Sequence, residues 1–118
     1  MNNVIVPMAN KASTDLSGKA GYAVEFDTTG MNVCNAITDQ AVGIIARGGA
    51  TDSDVCIFGE CAAIAGGTVT KGKMVIPHTD GTVKVTAASS QEFAIALEDG
   101  VAGDWVKIFV LGANKTQS

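Results

Sequence analysis

Histidine, proline, leucine and aromatic side chains are all in short supply in this chain of 118 residues: one His, two Pro, three Leu (Leu16, Leu97, Leu111), one Trp, one Tyr and four Phe. The single histidine, His78, sits beside the turn pair Asp80-Gly81, so a Ser or Cys nucleophile has no evident base to activate it. Basic residues number 8 against 12 acidic ones, a net charge of −4, and they form no run. Nucleic acid and anionic bilayers are bound by cationic patches that displace counterions, so neither is an expected partner. No apolar run approaches the roughly 20 residues of a membrane-spanning helix. The first residues lack the basic-then-apolar layout of a secretory signal, and synthesis in a reducing cytosol is the expectation. Cys34, Cys56 and Cys61 form no Cys-x-x-Cys pair and read as buried thiols, because a zinc site would lack a nearby fourth ligand. No cofactor and no metal is implied.

What is abundant points to strands. Hydrophobic residues make up 47% and charged ones 17%, which excludes a disordered chain and suits one domain with a core of its own. Val, Ile and Thr are frequent and Gly occurs 14 times. β-Branched side chains pack well on a pleated surface and lose rotamer freedom in a helix.

The chain repeats itself at an offset of 51 residues. Between 21–58 and 72–109 the pairs Gly21/Gly72, Val24/Val75, Thr28/Thr79, Gly30/Gly81, Ala36/Ala87 and Gln40/Gln91 are identical. So are Ile44/Ile95, Gly49/Gly100, Val55/Val106, Ile57/Ile108 and Phe58/Phe109. Composition alone gives roughly three matches in such a window. A fixed-offset echo indicates one supersecondary unit used twice, and two copies are too few for a solenoid, so the halves should pack on each other.

Hairpin signals divide the repeat. Tyr22–Phe26 and Met31–Ala36 flank Thr28-Thr29-Gly30; Val42–Arg47 and Val55–Glu60 flank a Gly- and Asp-rich turn, with Cys61–Ala65 continuing the strand to Gly66-Gly67. Lys73–Pro77 and Thr82–Thr86, then Phe93–Glu98 and Asp104–Leu111, repeat the scheme around a loop or single helical turn at 87–91. No stretch carries a sustained helical period. The expected fold is all-β with little helix, a small β-sandwich or barrel of two duplicated hairpin units: halves 21–66 and 72–111, an N-terminal arm 1–20 and a polar tail. Alternation places Val42, Ile44, Ala46, Val55 and Ile57, with Phe93, Ile95, Leu97, Val106 and Ile108, on the core side. Phe58, Phe109, Trp105 and Leu111 then project from a second, mixed face, as a satellite core or a subunit contact. In the arm, Val4-Ile5-Val6-Pro7-Met8 is an extended apolar segment that returns to the domain or reaches a partner.

Candidate chemistry is thin. Gly67-Thr68-Val69-Thr70-Lys71-Gly72-Lys73-Met74 has the spacing of a phosphate loop, but Met74 stands where Ser or Thr should bind magnesium and the following residues read as a strand, not a helix. Asp52, Asp54, Asp99 and Asp104 lack the array of a calcium loop and suit hairpin turns. Glu25, Glu60, Glu92 and Glu98 show no acid/base arrangement. These residues imply no enzyme.

Gly-x-x-Val entering a strand, Thr-x-Gly turning, then Val-Gly-Ile-Ile-Ala and Val-x-Ile-Phe resemble the capsid cement, or head decoration, proteins of tailed bacteriophages. The matching residues are Gly21, Val24, Gly30, Gly43, Ile44, Ala46 and Val55, and again Gly72, Val75, Gly81, Ala94, Ile95, Ala96 and Val106, within about 18–111. The resemblance implies a compact β domain, commonly a trimer, without catalytic residues. Made in the host cytoplasm, such a domain ends on the outer capsid surface of the virion, where it cements junctions between major capsid protein subunits. Val4, Ile5, Val6, Met8, Trp105 and Phe109 are then the expected contact residues. Deleting residues 1–10 should abolish shell binding and leave the thermal transition nearly intact. The alternative is a ligand-binding module, for carbohydrate in particular.

Overall fold

The computed structural model describes residues 3–8, 16–27, 30–34, 40–49, 53–78, 80–85 and 92–111. Among them there is no helix, and the strands are β1 (Asn3–Met8), β2 (Ala23–Asp27), β3 (Gly30–Val33), β4 (Gly43–Arg47), β5 (Ser53–Ile64), β6 (Met74–Pro77), β7 (Val83–Val85), β8 (Ala94–Ala96) and β9 (Trp105–Val110). Each hairpin read from the sequence forms: β2 with β3, β4 with β5, β6 with β7, β8 with β9. The expected loop at 87–91 and the C-terminal tail lie outside the described residues.

The strand order β3-β2-β4-β5-β9-β8-β6-β7 reads alike from both ends, each half contributing the same sequence of roles. The registers agree as well. Ala23 opposes Ile44 and Val24 opposes Gly43 in the first half; Met74 opposes Ile95 and Val75 opposes Ala94, the same pairs 51 residues on, in the second. The Gly21 amide donates to the Ile45 carbonyl (2.8 Å) as the Gly72 amide donates to that of Ala96 (2.9 Å). Both glycines have positive φ, +92° and +86°, where a side chain is strained, and each turns the chain into the first strand of its half.

β5 joins the halves. Its 12 residues pair first with β4 and then, over Gly59–Ile64, with β9. The sheet curls: a parallel bridge joins Ala65 to Val83, the Gly66 amide donates to the Val83 carbonyl (2.8 Å), and the Ala23 amide reaches Gly81 (2.7 Å). The expected small β-barrel or sandwich is therefore realised as an antiparallel sheet rolled on itself.

Two cores result. Leu16, Val24, Met31, Ile45 and Val55 fill the first half, with Val42 and Ile57 against them. Val69, Val75, Phe93, Ala96, Val106 and Ile108 belong to the larger cluster, which also takes Ala23, Cys34, Ile44 and Cys56 from the first half. The expected core is thus corrected at the same place in both halves. Val42 and Ile45, not Ile44, share the first core; Phe93 and Ala96, not Ile95, share the second. Strict alternation fails between these residues. Ile44 is buried against Cys56 where the halves meet, whereas Ile95 opposes Phe109, half-buried on the outer side. Ala46 is exposed and Leu97 half-buried.

The arm also takes a definite place. β1 lies antiparallel along β5, from Asn3 opposite Gly59 to Met8 opposite Ser53. Its apolar residues return to the domain, and they bring a strand's worth of hydrogen bonds with them.

A candidate docking face and groove

β9 is the clearest reading of the two faces. Val106, Ile108 and Val110 are buried, so Trp105, Lys107, Phe109 and Leu111 must point the other way. Across the ladder they meet Ile64, Ala62 and Glu60 of β5. Phe58, two residues before Glu60, lands on the same face and packs edge-on against Phe109, with ring centroids 5.4 Å apart at 80°. Val4 of β1 stands opposite Phe58. Val4 (47%), Phe58 (48%), Leu111 (49%) and Trp105 (56%) each keep about half of their surface in water, too much for a satellite core.

Successive residues of a strand alternate between faces, yet Val4 and Ile5 are both exposed. A register slip explains it: Val4 opposes Phe58 and Ile5 opposes Cys56, skipping Ile57. Ile5 thereby lines a groove of about 300 Å³ together with Asn3, Gly21, Cys56, Cys61 and Trp105. The Asn3 side chain fixes one end by donating to the Glu60 carbonyl (2.8 Å). Trp105 closes the other by lying on Gly21, where a Cβ would sit 2.7 Å from the ring.

Two thiols share the groove wall. Cys56 is buried and Cys61 half-buried, and the Cys56 thiol donates to the Phe58 carbonyl (3.6 Å). Burial first, then the neighbouring Cys56, push the Cys61 thiol far above the ordinary thiol range, so it keeps its proton at neutral pH. Elsewhere, Asp80 accepts from the Thr82 hydroxyl and amide, which holds its carboxyl below the usual range. His78 is half-buried, with its Nδ1 3.9 Å from Asp80. The phosphate-loop spacing at 67–74 forms a turn into β6, and the Lys71 amide there donates to the Asp99 carboxylate (2.8 Å), a place that repels an anion.

Of the contact residues expected from the sequence, Val4, Phe109 and Trp105 share one face and Ile5 lies at its groove. Val6 is half-buried opposite Val55, and Met8 ends β1 with its side chain outside the described residues. Phe58 was legible through its match to Phe109; Gly21 and the thiol pair as groove lining were not, because they meet only through the curl of β5.

The chain matches no protein-family model and no curated protein. Solved structures do match it. Among them is the crystal structure of the head fiber gp8.5 N base in bacteriophage phi29, with a TM-score of 0.64 at 18% identity, covering 95% of this chain and 99% of that one. The two chains share a fold. The shared part spans nearly the whole of both, so both halves and the curl between them fall within it.

Proposed function

We propose that this chain is a structural protein of a bacteriophage head that decorates and stabilises the assembled capsid. In this reading it binds the outer surface at junctions between major capsid protein subunits, through Val4, Phe58, Trp105 and Phe109, and carries out no catalysis. The observation that supports it is the likeness, over nearly the whole chain, to the base of a bacteriophage head fiber. The half-exposed aromatic face adds to it, since such a face gains by being covered. Binding the shell but not its separated subunits stabilises the shell by mass action, and many weak contacts on a lattice suffice, more so if the protein is a trimer. The repeat at 51 residues, with its matching registers, is read here as a duplication.

The test is co-sedimentation with expanded capsid shells beside separated major capsid protein. Retention by shells alone is expected, with loss of retention in Val4→Asp and Phe109→Asp chains that keep their thermal transition. Absence of shell binding, or binding indifferent to both substitutions, removes the proposal. Trp105 beside the groove keeps the carbohydrate-binding alternative in view: glycan binding lost in Trp105→Ala, with no shell binding, favours it.

A further inference from the structure

Five positions apart on one extended strand, two side chains stand on the order of 16 Å from each other and on opposite faces. Cys56 and Cys61 lie in that relation within β5, yet both line one groove and belong to or pack against one core cluster. Two features of the strand bring them together. The register slip at Ile57 inserts one residue and turns both sulfurs to one side. Gly59, with φ of +96°, then bends the chain sharply between them. Cys61 is half-buried and lines the open groove, whereas Cys56 is enclosed behind it; Cys34 is buried and lies outside the groove's lining.

We propose that Cys56 and Cys61 form a modification site that closes to an intrachain disulfide when the folded protein meets a low-molecular-weight disulfide oxidant. The step balances with oxidised glutathione. Cys61, reached through the groove, loses its proton and attacks one glutathione sulfur, forming a mixed disulfide and releasing one glutathione thiolate. Cys56 then loses its proton and attacks the Cys61 sulfur, which forms the Cys56–Cys61 bond and releases the second glutathione. Two protein thiols are oxidised and one disulfide is reduced to two thiols. Because burial holds the proton on Cys61 at neutral pH, its attack is slow there. Once made, the bond ties the bend of β5, where the two halves join.

The experiment treats the folded full chain with oxidised glutathione and follows intact mass and peptide maps. Expected first is a single glutathione adduct on Cys61, then its replacement by a loss of two hydrogens mapped to Cys56–Cys61, reversed by dithiothreitol. Cys34→Ser should react unchanged, Cys56→Ser should stop at the adduct, and Cys61→Ser should take up neither. If a substitution unfolds the chain, the order of the two mass changes in the unaltered protein decides alone. No closure in the folded state, a bond that includes Cys34, or linkage between chains overturns the proposal.

Discussion

Placing a methyl group on Gly21 tests the seat of Trp105 directly. The substitution Gly21→Ala has two consequences. The backbone sits at φ +92°, which an L side chain occupies at a cost of about 1–2 kcal/mol. The new Cβ also falls 2.7 Å from one ring carbon of Trp105, 2.8 Å from another and 2.9 Å from Ile64, so the ring must move. Gly72→Ala is the control the repeat provides: φ is +86° there, with nothing within 4 Å of the new Cβ. Backbone strain is common to both variants, and only Gly21 carries the ring. Trp105 is 56% exposed, which leaves roughly 110 Å² of its side chain covered, or at most about 3 kcal/mol at ~25 cal/mol per Å². A ring that shifts loses part of this, so Gly21→Ala should be less stable than Gly72→Ala by about 1–2 kcal/mol. Urea unfolding followed by fluorescence measures it cleanly, because Trp105 is the single tryptophan. The native emission of Gly21→Ala should move to the red and that of Gly72→Ala should not. Equal losses in the two variants, with unchanged emission, refute the seat.

Other perturbations reach other parts of the fold. Removing residues 1–8 strips β1 from β5, and at ~1 kcal/mol net per ladder hydrogen bond it should cost about 2–4 kcal/mol by urea titration, not leave the transition intact as the sequence alone suggests. In a double-mutant cycle, Phe58→Ala and Phe109→Ala should couple by about 0.5–1.5 kcal/mol, and additive losses would deny the edge-on contact. Cys56→Lys places a charge between the halves and should unfold the chain at 25 °C, whereas Lys107→Cys at the matching exposed position should change circular dichroism melting little. Asp80 is held below its ordinary pKa by Thr82, so its contribution is present above about pH 4 and lost as pH falls through the folded value. The stability gap between the natural chain and Asp80→Asn should therefore narrow on acidification from pH 5; a gap independent of pH excludes this linkage.

Much of the architecture was legible because it was written twice. A hairpin pattern that recurs at one offset is hard to misplace, and every strand pair expected from it forms. The faces were harder. Period-two reasoning put Ile44 beside Val42, but β4 begins only at Gly43 and β8 at Ala94, so Val42 and Phe93 stand before the strands and share a core with Ile45 and Ala96 instead. Local sequence does not mark where the strand begins: the second core receives a small Ala96 while the bulky Ile95 goes outward, the reverse of what side-chain size suggests. The groove was illegible for a different reason. Gly21, Cys56, Cys61 and Trp105 converge through the bend at Gly59 and the return of the chain at Gly21, neither of which has a periodic signature.

Where the two halves differ tells more about use than where they agree. Identical pairs such as Val24/Val75, Val55/Val106 and Ile57/Ile108 line the two interiors or pack against them, and Gly21/Gly72 make equivalent turns. Two of the strand positions that alternate with them have diverged: Asp54 and Cys56 in the first half correspond to Trp105 and Lys107 in the second, while Phe58 and Phe109 remain identical. Cys56 is buried where the halves meet, and only a small apolar side chain fits there without stranding a charge. Lys107 stands in water between two aromatic residues. With Cys56 of one half spent on joining the halves and Lys107 of the other turned outward, the face left open is the one where Phe58, Phe109 and Trp105 gather.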